Sequence, residues 1–317
     1  MPWFRKTKQY TTGGLESPRD HRDILLGSVQ QPIPMNELPE QYIIPYQLPT
    51  IDQNGYPACG GCVGATIKNE KERREGNLID FDWLWIYQQC KKIDGIPTFE
   101  GTFGRIVFKV LKDFGAKPLN QLETEAPKYR IGAYASVDDR SFVGLKSAII
   151  QNGVVFARLV ISMEGFQTAY VRPPKSNEKT YGHFVSLIGW NKNYIIGKNS
   201  WGAWWGDKGL FYFNPDTYAP TECWVSLVDL PNDFVINAKP KFVFTKCLYP
   251  NMTGQDVSNL QTALKYFGCF PIIMKESGVY DTVTILGVKQ YQASKGLQQT
   301  GNFGPTTLKM MNQDLAN

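Results

Sequence analysis

Cys59 and Cys62 stand two residues apart, before a stretch, CVGATIKNEKERREGN, whose charge and closing glycine predict a helix. Gly60 and Gly61 allow a tight turn here, so we expect Cys62 at the helix N-terminus. The helix dipole and the unpaired N–H groups there favour negative charge. They should lower the pKa of the Cys62 thiol from its usual value of about 8.5. A residue in this position also offers its backbone N–H to a developing oxyanion. The pattern therefore indicates a nucleophilic thiol.

Other roles for the cysteine pair fit the sequence less well. A zinc site needs four ligands, but the chain has only two histidines and no second closely spaced cysteine pair. A redox pair is expected just after a strand, whereas the loop sequence LPTIDQNGYPA precedes this one. A disulfide between Cys59 and a distant cysteine such as Cys90 remains open and does not compete with a catalytic role for Cys62. We therefore predict no metal site and no cofactor.

A nucleophilic thiol needs a base, and His21 and His183 are the two candidates. His21 lies in a polar N-terminal segment. His183 opens GHFVSLIGWN, whose alternation predicts a strand that runs into the core. The next segment predicts a second strand ending at Asn199, whose amide could fix the orientation and tautomer of a neighbouring imidazole. Cys62, His183 and Asn199 are thus predicted to act as nucleophile, base and orienting residue.

These segments resemble the motifs of papain-family cysteine peptidases over residues 38–230. DQNGYPACGGCVGA resembles the glutamine loop and helix start of the family, GHFVSLIGW its histidine strand, and KNSWGAWWGDKGLFYF its Asn-Ser-Trp-Gly signature. The resemblance implies an α+β papain-like fold with a helical lobe and an antiparallel β lobe. It also implies site roles: nucleophile Cys62, base and acid His183, orienting Asn199, side-chain oxyanion donor Gln53, Trp201 shielding the histidine–asparagine hydrogen bond, and Gly101 near the substrate groove.

The chain departs from the family pattern in two places. Gln53 stands nine residues before Cys62, where the family usually has six. Only about 37 residues precede LPEQY, a stretch that resembles the start of the mature domain, whereas family zymogens usually carry a long helical prodomain. Glycine and proline in residues 1–37 disfavour helix. We therefore expect no conventional zymogen, and an N-terminal arm, residues 1–37, that packs on the catalytic domain.

After residue 230 the strand-rich pattern gives way to three short helical periods, which places a linker at 231–245 and a second domain at 246–317. Asp256 is predicted to cap the first helix. Its apolar face is expected to comprise Val257, Leu260, Leu264 and Phe267.

Two similar segments, GVYDTVTI and GNFGPTTL, introduce the next two helices. Each predicts a glycine turn, an aromatic residue in the core, and a helix start at Asp281 or Pro305. Tyr280 and Phe303 are therefore expected to be core residues. Residues 246–314 as a whole resemble the peptidoglycan-binding domain family, which implies a small three-helix domain and peptidoglycan as a partner.

Composition limits the remaining functional classes. The net charge of +5 is spread along the chain without a basic block, so nothing favours nucleic acid binding. The sequence contains no run of 18 apolar residues and shows no classical signal peptide, so membrane insertion is not predicted. We expect action at the bacterial cell wall or outside the cell. A phage enzyme released through a holin is compatible with the missing export signal.

The two resemblances together predict a thiol-dependent endopeptidase that is targeted to bacterial cell wall and hydrolyses proteins or peptides. One alternative is a phage-type lysin that cleaves the stem or cross-bridge peptides of peptidoglycan. A second is a wall-binding scaffold without catalytic activity.

Overall fold

Two hydrophobic cores lie on either side of residues 231–238. The computed structural model describes residues 10–230, 239–267, 269–270 and 276–316. The larger core draws its buried residues from 24–225 and the smaller one from 244–311. The predicted arm residues 1–9 and linker residues 231–238 lie outside the described residues, and the domain boundaries remain predictions. Among the described residues, no helix is long and apolar enough to cross a membrane.

An antiparallel sheet forms the centre of the larger unit. Within the described residues the strands are β1 (Gly14–Leu15), β2 (Tyr42–Ile43), β3 (Thr102–Phe103), β4 (Ile131–Ser136), β5 (Val155–Ile161), β6 (Tyr181–Trp190), β7 (Ile195–Lys198), β8 (Leu210–Phe213) and β9 (Glu222–Asp229). Their order in the sheet is β4-β9-β5-β6-β7-β8, and β2 pairs with the end of β6. Strands β1 and β3 form a separate parallel pair. The sheet therefore places β6, which carries His183, next to β7, which ends before Asn199.

Helices pack on this sheet and on one another. They are α1 (Cys59–Arg74), α2 (Trp83–Ile93), α3 (Gly104–Asp113) and α4 (Phe142–Asn152), with short 3-10 turns at Leu26–Ser28, Met35–Glu37 and Glu123–Lys128. Helix α1 contacts α2 and α3 on one side and β5 and β6 on the other, while α4 packs on β5, β6 and β9. Helix α1 thus lies between the helical lobe and the sheet.

The apolar positions of GTFGRIVFKVLKDFG predict one helical face made of Ile106, Val107, Val110, Leu111 and Phe114, and Ile106 is partly buried in α3. Val107, Val110 and Leu111 are buried, but Phe114 is 41% exposed because it follows the last helical residue. Phe108, which lay outside the predicted face, is fully buried. Its ring meets aromatic side chains of the sheet, because α3 packs on β4 and β9 as well as on the other helices; these rings belong to Tyr134, Phe156 and Trp224.

In the part of the smaller unit that the structure describes there are three helices: α5 (Gln255–Tyr266), α6 (Thr282–Ser294) and α7 (Pro305–Ala316). Tyr280 and Phe303 are buried, and the Asp281 carboxylate accepts a hydrogen bond from the Thr284 N–H at 2.9 Å. Leu286 of α6 also packs against the larger core. The two glycine-led segments therefore have the predicted role of placing one aromatic ring in the core before each helix.

The first helix of this unit follows the predicted face but not the predicted cap. Its apolar face consists of the buried Val257, Leu260 and Leu264 and the partly buried Phe267. The predicted cap Asp256 is wrong: Gly254 occupies the N-cap, and Asp256 lies within the first turn, where it forms an ion pair with Lys246 at 2.6 Å. The helix begins at Gln255, two residues earlier than a cap at Asp256 would place it, which accounts for the difference.

Helix α1 carries charged side chains into the interior. Lys68 is 0% exposed, and its Nζ lies 2.6 Å from the Asp229 carboxylate and 3.2 Å from that of Glu72. Lys71 is also buried and donates to two backbone carbonyls, those of Asn152 and Ser226. Because the helix is covered on both sides, its charges are paired within the protein. A buried ion that loses its partner is strongly destabilising.

We predict that Asp229→Ala lowers the free energy of unfolding by about 3–5 kcal/mol, because it leaves the Lys68 ammonium buried without its closest carboxylate. The measurement is urea unfolding followed by tryptophan fluorescence, since all eight tryptophans precede residue 231. Asp113→Ala is the matched control: its pair with Lys109 is exposed, so the loss should stay below about 1 kcal/mol. Equal losses in the two variants would contradict the prediction.

Candidate active site

Two neighbouring strands bring His183 and Asn199 together. Nε2 of His183 lies 2.8 Å from Oδ1 of Asn199, and the Ser200 N–H donates to the same oxygen at 2.8 Å. The Ser200 bond identifies that atom as the amide oxygen, which can only accept. Nε2 therefore carries the proton and Nδ1 is left as an acceptor. Among the described residues Nδ1 is buried without a hydrogen-bond partner, so it is available to receive a proton.

Trp201 covers the histidine. Its indole stacks on the imidazole of His183, with ring centroids 4.9 Å apart and an interplanar angle of 28°. Trp201 is itself 2% exposed. This arrangement keeps water from the hydrogen bond between His183 and Asn199.

Cys62 lies in the first turn of α1 and is 1% exposed. Its backbone N–H donates to the carbonyl of Ala58 at 3.1 Å. The expectation that this N–H is free for an oxyanion is therefore not met in the structure. The helix begins at Cys59, earlier than predicted, so Cys62 is among the first residues whose N–H finds an acceptor four residues back.

Burial controls the protonation of both groups. It raises the pKa of the Cys62 thiol well above its ordinary value, helped by the neighbouring Cys59 and opposed by a hydrogen bond with Ser200. Burial also lowers the pKa of His183 to about 4, against the effect of its bond with Asn199. The predicted lowering of the thiol pKa by the helix terminus is thus wrong for this state, because desolvation outweighs the dipole. The thiol and the imidazole are both neutral here.

Gln53 reaches the site despite its longer spacing from Cys62. A turn at Asn54 and Gly55, both with positive φ, takes up part of the additional chain. Its Oε1 accepts from the Ser200 hydroxyl at 2.6 Å, which orients the side-chain amide. The amide nitrogen then faces the carbonyl and hydroxyl oxygens of Thr11, at 3.2 and 2.8 Å, and the carbonyl of Tyr56. Both N–H groups of Gln53 therefore already have acceptors.

Cys59 is chemically distinct from Cys62. It is fully buried, and burial raises the pKa of its thiol to about 12. All six cysteines belong to the described residues and are free thiols, so the possible disulfide between Cys59 and Cys90 is not present. Cys59 is a packing residue beneath the site.

Part of the N-terminal arm crosses the site; we call residues 10–17 the cleft segment. Strand β1 of this segment pairs with β3, and the Thr102 N–H donates to the Gly13 carbonyl at 3.0 Å. On the other side, the Gly13 N–H donates to the carbonyl of Gly182, next to His183, at 3.3 Å. Gly101 lies directly against Gly13. The groove that was predicted near Gly101 is therefore filled by the chain itself, and the predicted packing of the arm holds from residue 10 onward.

Two glycines let the cleft segment lie this close. A Cβ atom on Gly14 would come within 2.9–3.0 Å of the backbone of His183. One on Gly13 would come within 2.3 Å of the Pro57 carbonyl oxygen. Real Cβ atoms do not approach backbone atoms so closely, so a side chain at either position would force the segment away.

Aromatic contacts hold the start of the cleft segment. The ring of Tyr10 lies 4.9 Å from that of Trp201 and 5.4 Å from that of Trp204. The Trp201 indole N–H donates to the Thr11 carbonyl at 2.9 Å. Thr11 and Ser200 were not predicted as site residues. Ser200 lies inside the Asn-Ser-Trp-Gly motif, but the motif predicted site roles only for Asn199 and Trp201. Nothing in the sequence of the arm indicates Thr11.

Two sequence profiles of known families match separate parts of this chain. The sequence profile of the papain family of cysteine proteases matches residues 109–226, and that of a putative peptidoglycan binding domain matches residues 253–311. The first match includes His183 and Asn199 but begins after Cys62. Residues 109–226 thus carry papain-family sequence, and a domain of the peptidoglycan-binding type follows.

Curated relatives cover only part of this chain. Serine-repeat antigen protein 5 of Plasmodium falciparum is 37% identical over 82 residues, which are 20% of this chain and 8% of the relative. An uncharacterized peptidase C1-like protein, L477, of Acanthamoeba polyphaga mimivirus is 30% identical over 178 residues, which are 51% of this chain and 54% of the relative. The chain therefore spans at most about half the length of these relatives.

Solved structures establish the fold. Xylellain, a cysteine protease from Xylella fastidiosa, superposes with a TM-score of 0.59 at 20% identity. The match covers 69% of this chain and 96% of the xylellain chain. A procathepsin B from Trypanosoma congolense superposes with a TM-score of 0.52 at 16% identity, and the match covers 69% of this chain and 86% of the procathepsin chain. These likenesses confirm the predicted papain-like α+β fold.

We predict that the cleft segment detaches more readily as the pH falls. Burial lowers the pKa of His183 from 6.5 to about 4, so protonation favours the uncovered state. The contribution of His183 to the covered state is fully present above pH 6.5 and is lost as the pH falls to about 4, by up to about tenfold per pH unit. Amide hydrogen exchange of residues 10–17, corrected for intrinsic rates, measures it. His183→Gln should remove this pH dependence, and an unchanged dependence in that variant would contradict the assignment.

Proposed function

We propose that this chain, with its papain-family domain and its peptidoglycan-binding domain, is a thiol-dependent endopeptidase that acts at bacterial cell wall. The observation that carries the proposal is a Cys62 thiol that bonds with Ser200, next to the Asn199 amide that holds the His183 imidazole by Nε2 and leaves its Nδ1 without a partner among the described residues. This combination supports acyl transfer by a cysteine nucleophile.

In the proposed mechanism, Nδ1 of His183 takes the proton of the Cys62 thiol. The thiolate attacks the carbonyl carbon of the peptide bond, and the negative charge moves to the carbonyl oxygen. The side-chain N–H groups of Gln53 stabilise that oxygen. His183 returns the proton to the leaving amine, and the acyl group stays on Cys62 as a thioester. Water, deprotonated by His183, then hydrolyses the thioester and frees Cys62.

The cleft segment must leave before this sequence can start. Through Thr11 it occupies one side-chain N–H of Gln53, and its backbone runs against that of His183, where a substrate would bind. Its departure also admits water, which favours the charged thiolate and imidazolium over the neutral pair. The chain as described is therefore a latent form of the proposed enzyme.

The support for a role at the cell wall is the sequence family of the C-terminal domain. Binding to an insoluble polymer would hold the cleft near substrates on that polymer and raise their effective concentration. Protein or peptide hydrolysis remains the favoured activity, because the Asn-Ser-Trp-Gly segment resembles that of true papain-like peptidases. Cleavage of peptidoglycan peptides is the second candidate, favoured by the same C-terminal domain.

We predict that Gly14→Val raises turnover by tenfold or more over the unaltered chain, because the added side chain meets the backbone of His183 and expels the cleft segment. The substrates are labelled casein and purified peptidoglycan sacculi under reducing conditions, the latter scored by mass spectrometry of released fragments. Gly304→Val is the matched control, since nothing lies within 4 Å of a Cβ there, and it should leave turnover unchanged.

Adding Cys62→Ala to Gly14→Val should abolish all turnover while binding to sacculi persists. Casein cleavage supports a wall-directed protease, and new stem or bridge termini support a lysin. No turnover by Gly14→Val on either substrate, with sacculus binding intact, would refute the proposed activity and favour a binding scaffold.

A further inference from the structure

A second polar site lies in the groove beside the catalytic strand. Glu222 opens β9 and is 7% exposed, and it stands opposite Arg158 of β5. Arg158 in turn stands opposite Phe184, the residue after His183. The Arg158 guanidinium lies next to Gly182, where a Cβ atom would come within 2.7 Å of Nη2. This site is thus close to the reacting groups but outside the catalytic machinery described above.

The cleft segment shows what the site binds. The Ser17 hydroxyl donates to Oε1 of Glu222 at 2.5 Å, and the Ser17 N–H donates to Oε2 at 3.0 Å. The same hydroxyl oxygen accepts from the backbone N–H of Arg105, in the first turn of α3, at 3.1 Å. The Trp224 indole N–H donates to Oε1 and holds the carboxylate in place. One hydroxyl group therefore bridges a buried carboxylate and a helix N-terminus.

Arg158 holds the backbone of the bound segment. Its Nε donates to the Gly14 carbonyl at 2.9 Å, and its Nη1 donates to the Thr221 hydroxyl at 2.8 Å. The second bond fixes the guanidinium against β9 and leaves Nε pointing at the ligand. A peptide in the groove therefore meets a fixed donor for a backbone carbonyl and, beside it, the pocket of Glu222.

We propose that Glu222 and the backbone N–H of Arg105 form a specificity subsite of the groove for a serine or threonine of the substrate, which Ser17 fills in the latent form. The proposal rests on the proposed endopeptidase function and adds the class of residue that the groove selects. Glu222 is a specificity residue here and takes no part in bond breaking.

The chemistry of the two groups favours a hydroxyl over the alternatives. A hydroxyl donates to the carboxylate and accepts from the N–H at the same time. An ammonium has no lone pair for the Arg105 N–H and is disfavoured by the helix N-terminus. A carboxylate is repelled by Glu222. An apolar side chain leaves the Arg105 N–H without an acceptor and the buried Glu222 carboxylate with the Trp224 N–H as its remaining donor, which is costly.

The test uses full-length Gly14→Val and a peptide series in which one position at a time carries Ser, Thr, Ala, Leu or Lys. We expect about tenfold higher kcat/KM for Ser or Thr than for Ala, Leu or Lys at one position. Glu222→Ala should remove this preference, and Glu222→Gln, which keeps an acceptor oxygen, should retain part of it. Glu125→Gln, on an exposed turn, is the control and should leave the profile unchanged. Equal profiles for Gly14→Val with and without Glu222→Ala would overturn the subsite.

A second readout does not depend on turnover. A synthetic peptide of residues 10–18 should protect Cys62 of Gly14→Val from iodoacetamide, as scored by peptide mapping. The Ser17→Ala peptide should need about tenfold higher concentration for equal protection, and Glu222→Ala should abolish the difference. Equal protection by both peptides would overturn the subsite even if the chain proves inactive. Conversely, turnover with a serine-independent profile would overturn the subsite and leave the proposed function standing.

Discussion

Helix α1 is buried from Cys59 to Glu72, so the charges in that stretch must be satisfied inside the protein, and the sheet supplies most of their partners. Its Lys68 ammonium bonds to Asp229 at the end of β9, and Lys71 bonds to carbonyls of α4 and β9. These contacts set the position of the helix on the sheet. Cys62 is in the first turn of that helix and His183 is on the sheet, so the distance between thiol and imidazole depends on the same contacts.

In the covered cleft, the side chains of Cys62 and His183 carry no charge. With water excluded, both the thiol and the imidazole favour their neutral forms, and the side-chain N–H groups of Gln53 are bound to Thr11 and Tyr56. The proposed nucleophile is therefore uncharged and the proposed oxyanion donor is already engaged, while Nδ1 of His183, which has no partner among the described residues, can still accept a proton. One short segment of backbone achieves this through ordinary hydrogen bonds and the absence of side chains at Gly13 and Gly14.

Sequence reasoning was strongest where local pattern and motif agreed. The order Cys62, His183, Asn199 and the alternation of β6 predicted the elements that bring the site together, and glycine turns predicted the aromatic cores of the small domain. It failed where tertiary burial decides the outcome. The thiol pKa, the engaged N–H of Cys62 and the buried Phe108 all depend on what packs against α1 and α3. Likewise, the role of Thr11 depends on a contact with residues far along the chain.

The cleft segment belongs to the same chain as the groove that it fills, so the proposed inhibition does not depend on the protein concentration. A free peptide has to compete against a tethered ligand whose effective concentration is on the order of millimolar. Scarce soluble peptides therefore compete poorly, whereas peptides displayed densely on a solid polymer reach comparable local concentrations. The covalent connection thus sets a minimum local concentration that a substrate peptide needs in order to displace the cleft segment. A chain that also binds such a polymer would meet this concentration mainly at the surface of the polymer.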